Sequence, residues 1–427
     1  MNIKVSPSYI DGRITAPPSK SSGHRLLICA ALAQGDSVIE HLEYSEDIKA
    51  TIGCITAMGA KVRKEGAGVL RVTGCGGQIA LPDAPVFCGE SGSTLRFCLP
   101  LFSLTDHAVT LTGAGRLMER PQDVYRSLFE AQGLQFVHGG EEGITISGRL
   151  TPGEYTLPGN VSSQFISGLL FTLPLLGGNS TIHIEPPVES RNYIDLTLSA
   201  LNTFGVEAGW EDDCTLVVPG RQQYHARKVV VEGDWSNAAF MAVLGALRGD
   251  VRLEGLDPAS AQGDKVIAKF LRRCGCRMKK ENGAYCFGYS NLIAPVTPVD
   301  LADCPDLGPI LMVLAAFCTG RTTILNAGRL RIKESDRIAT MQHEMAKMGV
   351  HIQCVGDTIE IEGGGMQPPS RPLKGHNDHR IVMALTVALL GAGFQGEIQG
   401  AQAVNKSWPG FFSAIRSVGG KVEVLDD

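Results

Sequence analysis

The sequence predicts an α/β protein of two lobes, each assembled from three similar units with helices turned inward and sheets outward. Three observations lead there. The chain has 427 residues and 44% hydrophobic content, enough for large cores and too much for one ordinary domain. A pattern of amphipathic helix, glycine, alternating strand, turn and second strand recurs six times. A stretch that suits a crossing, Val229-Val230-Val231-Glu232-Gly233-Asp234, falls between the third and fourth copies.

The first copy runs through Ala57-Met58-Gly59-Ala60-Lys61-Val62 and closes through Val69-Leu70-Arg71-Val72. The others centre on Gly133, Gly205, Gly275, Gly349 and Gly419, so successive glycines stand 74, 72, 70, 74 and 70 residues apart. Each is expected to end a helix in a conformation with φ > 0. A helix must bury its apolar stripe and a sheet its apolar face, which three packed units per lobe would achieve. The lobe of the first three units is expected over 18–232, and that of the last three over 233–427 together with 1–17. The spare strand Asn2–Val5 would complete a sheet of the final unit. The competing arrangement is a long single-sheet α/β fold.

Composition narrows the function. A net charge of −5 argues against a general nucleic-acid binder, which would carry a broad basic surface. The twelve cysteines are scattered without a CxxC pair, so zinc and disulfide frameworks are not expected and a reducing cytoplasm fits. The N-terminus has no apolar signal region, and the longest apolar runs, around 310–318 and 381–394, are too short to span a bilayer. Nothing in the pattern demands a partner chain, so a monomer is expected.

The chemistry gathers around Arg329-Leu330-Arg331-Ile332-Lys333-Glu334-Ser335-Asp336-Arg337, where six of nine residues are charged. Alternation of Leu330 and Ile332 with cations predicts a strand, and Ser335-Asp336 predicts a helix cap before Ile338, Met341 and Met345. Taken alone, the run reads most simply as a solvated, salt-bridged face. Four further stretches resemble it: Pro17–Arg25, Gly89–Arg96, Gly115–Pro121 and Gly375–Arg380. The first puts Ser19, Lys20, Ser21 and Arg25 at the start of a helix over Leu26–Ala33, either an anion cradle or simple capping. Ser162-Ser163-Gln164-Phe165 and Ser190-Arg191-Asn192-Tyr193 are open to the same two readings. Asp306 precedes a helix over Ile310–Phe317 and reads most simply as a cap. Lys20, Arg25, Arg96, Arg120, Lys333, Arg337, Arg380 and Lys406 are expected at helix starts, forming a local positive well for small polyanions.

In order and spacing these motifs resemble the 5-enolpyruvylshikimate-3-phosphate (EPSP) synthase family along nearly the whole chain. The matching stretches are Pro-Ser-Lys-Ser at 18–21 with Arg25, Glu119-Arg120-Pro121, Val161–Phe165, Gly233-Asp234, Lys333–Arg337, Asn377–Arg380 and Lys406. The resemblance implies the enolpyruvyl transferase fold, a two-lobed inside-out α/β barrel of six βαβαββ units with the site in the cleft between lobes. It also implies transfer of the enolpyruvyl group of phosphoenolpyruvate to the 5-hydroxyl of shikimate-3-phosphate, with no metal or organic cofactor.

Carried over residue by residue, the resemblance gives Ser21 and Arg25 the shikimate carboxylate. Ser162, Ser163 and Ser190 would take the shikimate phosphate, Tyr193 would lie against the ring, and Lys333 and Asp306 would also touch this substrate. Lys20, Arg120, Gln164 and Lys406 would take the phosphate of phosphoenolpyruvate beside Gly92, with Lys20 and Gln164 reaching both substrates. Arg337 and Arg380 would take its carboxylate. Glu334 would protonate the methylene carbon, Asp306 would stand beside the attacking hydroxyl, and Lys20 would assist. Lys333 beside Glu334 is expected to favour ionisation of that carboxylate.

Three residues depart from the family's commonest pattern: Glu90 and Arg329 where asparagine is usual, and Phe97 where proline is frequent. Glu90 would weaken anion binding unless paired by Arg96 or Arg120. Gly92 keeps the small residue associated with glyphosate sensitivity, so glyphosate is expected to compete with phosphoenolpyruvate. Two other readings remain open here. The UDP-N-acetylglucosamine enolpyruvyl transferases share the fold, but typically carry a cysteine in the loop matching 113–121, where this chain has none. A ring-shaped nucleic-acid clamp would spread its basic residues over a broad surface.

Overall fold

The computed structural model describes residues 1–425. The chain divides into two compact units, Pro18–Val231 and Met1–Pro17 with Glu232–Asp427. Among the described residues there are six four-stranded sheets, all with one parallel pair at an edge and two antiparallel pairings. Each unit holds three.

The chain route is not strictly sequential. The strand Lys228–Val230 returns to pair in parallel with Val38–Glu40, closing the first sheet with a segment that follows the third. The strand Ile10–Thr15 pairs in parallel with Gly249–Glu254 in the other unit. The N-terminal strand Asn2–Ser6 lies between Gly396–Gln399 and Lys421–Leu425, antiparallel to both.

Three helices per unit are buried on almost every side: Lys20–Leu32, Gly92–Phe102 and Ser163–Thr172 in one, and Trp235–Arg248, Gly308–Phe317 and His379–Ala392 in the other. Their small and apolar residues on every face leave them no solvent side. The amphipathic helices of the repeat lie elsewhere, and each ends at one of the six spaced glycines. These have φ of 105°, 73°, 78°, 85°, 77° and 91°, the left-handed turn that an L side chain resists. The starts of the buried helices coincide with the polar motifs of the sequence. Three begin on serine caps, Ser19, Ser91 and Ser162, and two on aspartate caps, Asp234 and Asp378.

One sequence expectation fails outright. Arg329–Lys333 is not a strand: Gly328–Ile332 forms a 3₁₀ turn. The preceding strand Gly320–Leu325 ends at Asn326, whose φ of 56° turns the chain away from the sheet. Of the two alternating apolar residues only Leu330 is buried, packed against Gly308. The helix expected over Leu26–Ala33 starts at Lys20, so the cations of that stretch lie within it.

The far ends of the buried helices are fixed by close approach to the sheets. A Cβ at Gly74 would come within 2.2 Å of the Ala33 carbonyl oxygen, and one at Gly363 within 2.1 Å of that of Cys318. Neither neighbour is a flexible side chain, so the helix itself would have to shift. Gly74→Ala is expected to destabilise the protein by about 1–3 kcal/mol, the usual cost of overpacking. A urea midpoint within error of the parent would show that the helix end can give way.

Candidate active site

In the unit Pro18–Val231 the Ser19 hydroxyl accepts from the Ser22 amide and starts the helix that presents Lys20, Ser21 and Arg25. Lys20 Nζ lies 2.6 Å from Asp47, a partner the sequence reading missed. Asp47 stands in the first turn of the helix Glu46–Ala57, capped by Ser45, and that cap was the available signal. Behind it a buried chain links His24 Nδ1 to Thr51 (2.7 Å), Thr51 to Thr94 (2.7 Å) and Thr94 to Ser91 (2.8 Å). Burial, then the nearby Lys20 and Arg25 charges, hold the His24 pKa well below the usual histidine range, so this chain is neutral.

Arg25 is 2% exposed and is held by neutral groups. Its Nε donates to Thr197 Oγ1 at 2.8 Å, Nη1 to the Ser21 carbonyl at 2.8 Å, and Nη2 to the Tyr193 carbonyl at 2.9 Å. Among the described residues no carboxylate pairs with it. Burial pushes its pKa down to about 10. Phe97 explains its own departure from the family pattern, since its ring lies 5.1 Å from the Arg25 guanidinium. A buried cation without a protein counter-charge strongly favours an incoming anion.

Gln164 follows the Ser162 cap and is oriented from two sides. Arg96 Nη1 donates to its Oε1 at 2.9 Å, and its Nε2 donates to Ser93 at 2.9 Å. Ser163 is buried in the first turn of the same helix, and Ser190 takes φ of 56° immediately before the helix that carries Tyr193. Arg120 is nearly buried over Gly92, where a Cβ would come within 2.7 Å of Nη1. The Glu90 carboxylate lies against Gly115, in the loop that precedes Arg120.

The second set of residues lies in the other unit. Arg337 opens the helix Arg337–Ala346 behind the Asp336 cap, and its side chain is 1% exposed. Its guanidinium meets Asp378 at 2.9 Å, Glu334 at 2.8 Å and Asp306 at 3.2 Å. Asp306 also takes Arg380 at 3.0 Å and Lys333 at 3.5 Å. It therefore does not cap the helix Gly308–Phe317. Arg380 further donates to Ser236 at 3.0 Å, and Lys406 Nζ donates to the Asn377 carbonyl at 2.6 Å.

Charges decide the electrostatics here. Burial acts to raise the Asp306 pKa, but Arg380, Lys333 and Arg337 outweigh it, and the carboxylate stays ionised well below its usual range. Burial pushes the Lys333 pKa down to about 8, against the pull of Asp306 and with help from Arg337. Three cations thus face three carboxylates, and the cluster is balanced instead of being the open positive well expected from the sequence. Glu334 is held by Arg337, whereas Lys333, its sequence neighbour, points to Asp306. Arg120 and Lys406 are also not at helix starts: both close 3₁₀ turns, Leu117–Glu119 and Ala401–Lys406.

These features define a two-unit α/β protein with buried cations in each unit, and its fold is that of the enolpyruvyl transferases. A solved enolpyruvyl transferase, NikO from Streptomyces tendae, superposes with a TM-score of 0.78 at 16% identity, covering 99% of this chain and 98% of its own, a likeness of fold. The family model for EPSP synthase (3-phosphoshikimate 1-carboxyvinyltransferase) matches residues 5–415, and the chain belongs to that family. A 3-phosphoshikimate 1-carboxyvinyltransferase of Clostridium novyi (strain NT) is 40% identical, over 99% of this chain and 98% of its own. The solved EPSP synthase from Acinetobacter baumannii has a TM-score of 0.80 at 26% identity and covers both chains fully.

Removing the Arg337 guanidinium would strand Asp378, which is fully buried. Arg337→Met is therefore expected to cost about 3–5 kcal/mol, the range for breaking a buried ion pair from one side. Chemical denaturation measures this, and a loss under about 1 kcal/mol would mean that Asp378 finds other donors.

Proposed function

We propose that this chain transfers the enolpyruvyl group of phosphoenolpyruvate to the 5-hydroxyl of shikimate-3-phosphate, releasing phosphate. The observation that carries the reading is that Asp306 and Glu334 share one buried guanidinium, Arg337. Addition requires the 5-hydroxyl to lose a proton while the methylene carbon gains one, so an acid and a base are needed, and two carboxylates in different electrostatic settings can supply them. Asp306, held ionised by three cations, suits the hydroxyl. Glu334 suits the methylene, provided that it can take up a proton.

The ion pair offers a way to do so. A ligand carboxylate arriving on Arg337 and Arg380 competes with Glu334 for the guanidinium, and Glu334 then loses the charge that keeps it ionised. The tetrahedral intermediate collapses as phosphate leaves and the methyl group returns its proton. Lys20, Arg120, Gln164 and Lys406 would hold that phosphate, with the open Cβ position of Gly92 leaving room for Arg120. Ser21 and Arg25 would hold the shikimate carboxylate, Tyr193 its ring, and Ser162, Ser163 and Ser190 its phosphate.

The same reading makes the protein a cytoplasmic monomer that engages small molecules and no nucleic acid. The net charge of −5 speaks against a nucleic-acid partner, and the free thiols of all twelve cysteines fit a reducing cytoplasm. No helix among the described residues is long and apolar enough to cross a membrane.

Phosphate release should require shikimate-3-phosphate and phosphoenolpyruvate together, and Glu334→Gln should lower kcat by about a hundredfold or more, as loss of a general acid does. Release from phosphoenolpyruvate alone would sink the reading. The pH dependence supplies a second check. Free Lys333 loses its proton above about 8, whereas a bound anionic substrate would keep the proton on it. Shikimate-3-phosphate affinity should therefore fall as pH rises from 8 to 9, by up to about tenfold, with proton uptake on binding. Calorimetry in buffers of different ionisation enthalpy reads both, and binding without proton uptake at pH 8.5 would remove Lys333 from this role.

A further inference from the structure

Glu344 is a fully buried carboxylate with no part in the chemistry above. It lies on the helix that Arg337 opens, two turns further along. Its Oε1 meets His376 Nε2 at 2.8 Å, and its Oε2 accepts from Lys347 Nζ at 2.7 Å and from the Lys374 backbone N–H at 2.8 Å. His343 Nε2 stands 3.9 Å away, its ring edge-on to that of His376. Burial opposes ionisation, but His376, Lys347 and the Lys374 amide outweigh it and hold the Glu344 pKa below its usual range. Four groups converge on a carboxylate that solvent does not reach.

What they hold in place is the turn that builds the second anion site. His376 and Asn377 have φ of 49° and 54°, two consecutive non-glycine residues in the left-handed region. Each costs about 1 kcal/mol or more, and such a turn persists only where its surroundings over-determine it. The next residues do the work of the site. The Asn377 carbonyl accepts from Lys406, and Asp378 receives both Arg337 and the Ser335 hydroxyl while capping Arg380. The turn is thus gripped on one side by Glu344 and presents its acceptors on the other.

We infer that Glu344 and His376 are positioning residues for phosphoenolpyruvate. The buried carboxylate grips the strained His376-Asn377 turn so that Arg337, Arg380 and Lys406 keep the spacing the ligand needs. This rests on the functional reading above, which gives those three cations to that substrate. Shikimate-3-phosphate depends mainly on Ser21, Arg25, Ser162, Ser163, Ser190 and Tyr193, which belong to the other unit. The two substrates should therefore respond differently.

The test compares His376→Leu, His376→Gln and Glu344→Gln with the parent enzyme in steady-state phosphate release. His376 is one-third exposed, so its variants should fold; thermal melting confirms it. The leucine variant should raise KM for phosphoenolpyruvate about tenfold or more, the worth of one hydrogen bond to a charged group. KM for shikimate-3-phosphate should stay within about twofold of the parent. Glutamine places an N–H donor near the lost Nε2, and His376→Gln should recover most of the loss. Glu344→Gln, which keeps the shape and removes the charge, should show the same one-sided rise. Equal rises in both KM values, or a glutamine variant no better than leucine, would overturn the inference and leave a structural role only. A parent enzyme that releases no phosphate from the two substrates would overturn the functional reading, and this inference with it.

Discussion

A guanidinium that solvent cannot reach is costly to leave without counter-charge, and Arg337 is neutralised three times over, by Asp306, Glu334 and Asp378. Much of this charged cluster follows from that constraint. Asp378 caps the buried helix His379–Ala392, Asp306 precedes Gly308–Phe317, and Glu334 lies one turn before Arg337 itself. One planar cation therefore fixes the relative positions of three segments that are far apart in sequence. Lysine could not do this, because a point charge has no fork with which to bind several carboxylates in fixed directions.

Arg25 and Arg337 are held by different means, and the difference matches the roles proposed for them. Around Arg25 the partners are hydroxyls and carbonyls, and the nearby buried helices start on serine. Neutral caps leave the partial positive charge of each helix start uncancelled, an environment that retains an anion without exchanging protons with it. Around Arg337 the partners are carboxylates and the caps are aspartates. There an arriving anion must compete with a resident one. Competition of that kind changes the protonation of the resident group, which an acid–base site needs and a purely binding site does not.

The repeat was legible because its glycines are demanded by local backbone geometry, and local demands leave a mark at fixed spacing. Gly59 through Gly419 all adopt the positive φ that their position after a helix requires. Helix caps such as Asp336 were readable for the same reason. The run at Arg329–Lys333 was misread because a short alternating pattern does not reveal whether a neighbouring strand is available, and beyond Asn326 there is none. Ion-pair partners were the least visible feature. Asp47 lies 27 residues from Lys20, and Asp378 lies 41 from Arg337, so only the tertiary fold brings them together. The expected positive well became a balanced cluster for the same reason: the cations were conspicuous in the sequence, and their counter-charges were dispersed along it. Phe97 looked like an anomaly until the fold placed its ring against Arg25.

The order in which the chain leaves the ribosome meets the two units differently. Residues 18–231 form one uninterrupted stretch, and everything that unit needs has been made by the time Lys228–Val230 closes its first sheet. The other unit includes the strand Asn2–Ser6, made before residues 18–231, and cannot seat it until Gly396–Gln399 and Lys421–Leu425 have appeared on either side. Throughout elongation that strand has two unpaired edges and an apolar face made by Ile3 and Val5. One unit can therefore mature before the other, which holds Arg337 and waits for the strand Lys421–Leu425. Exposure to aggregation is concentrated in that interval, and in the strand Asn2–Ser6.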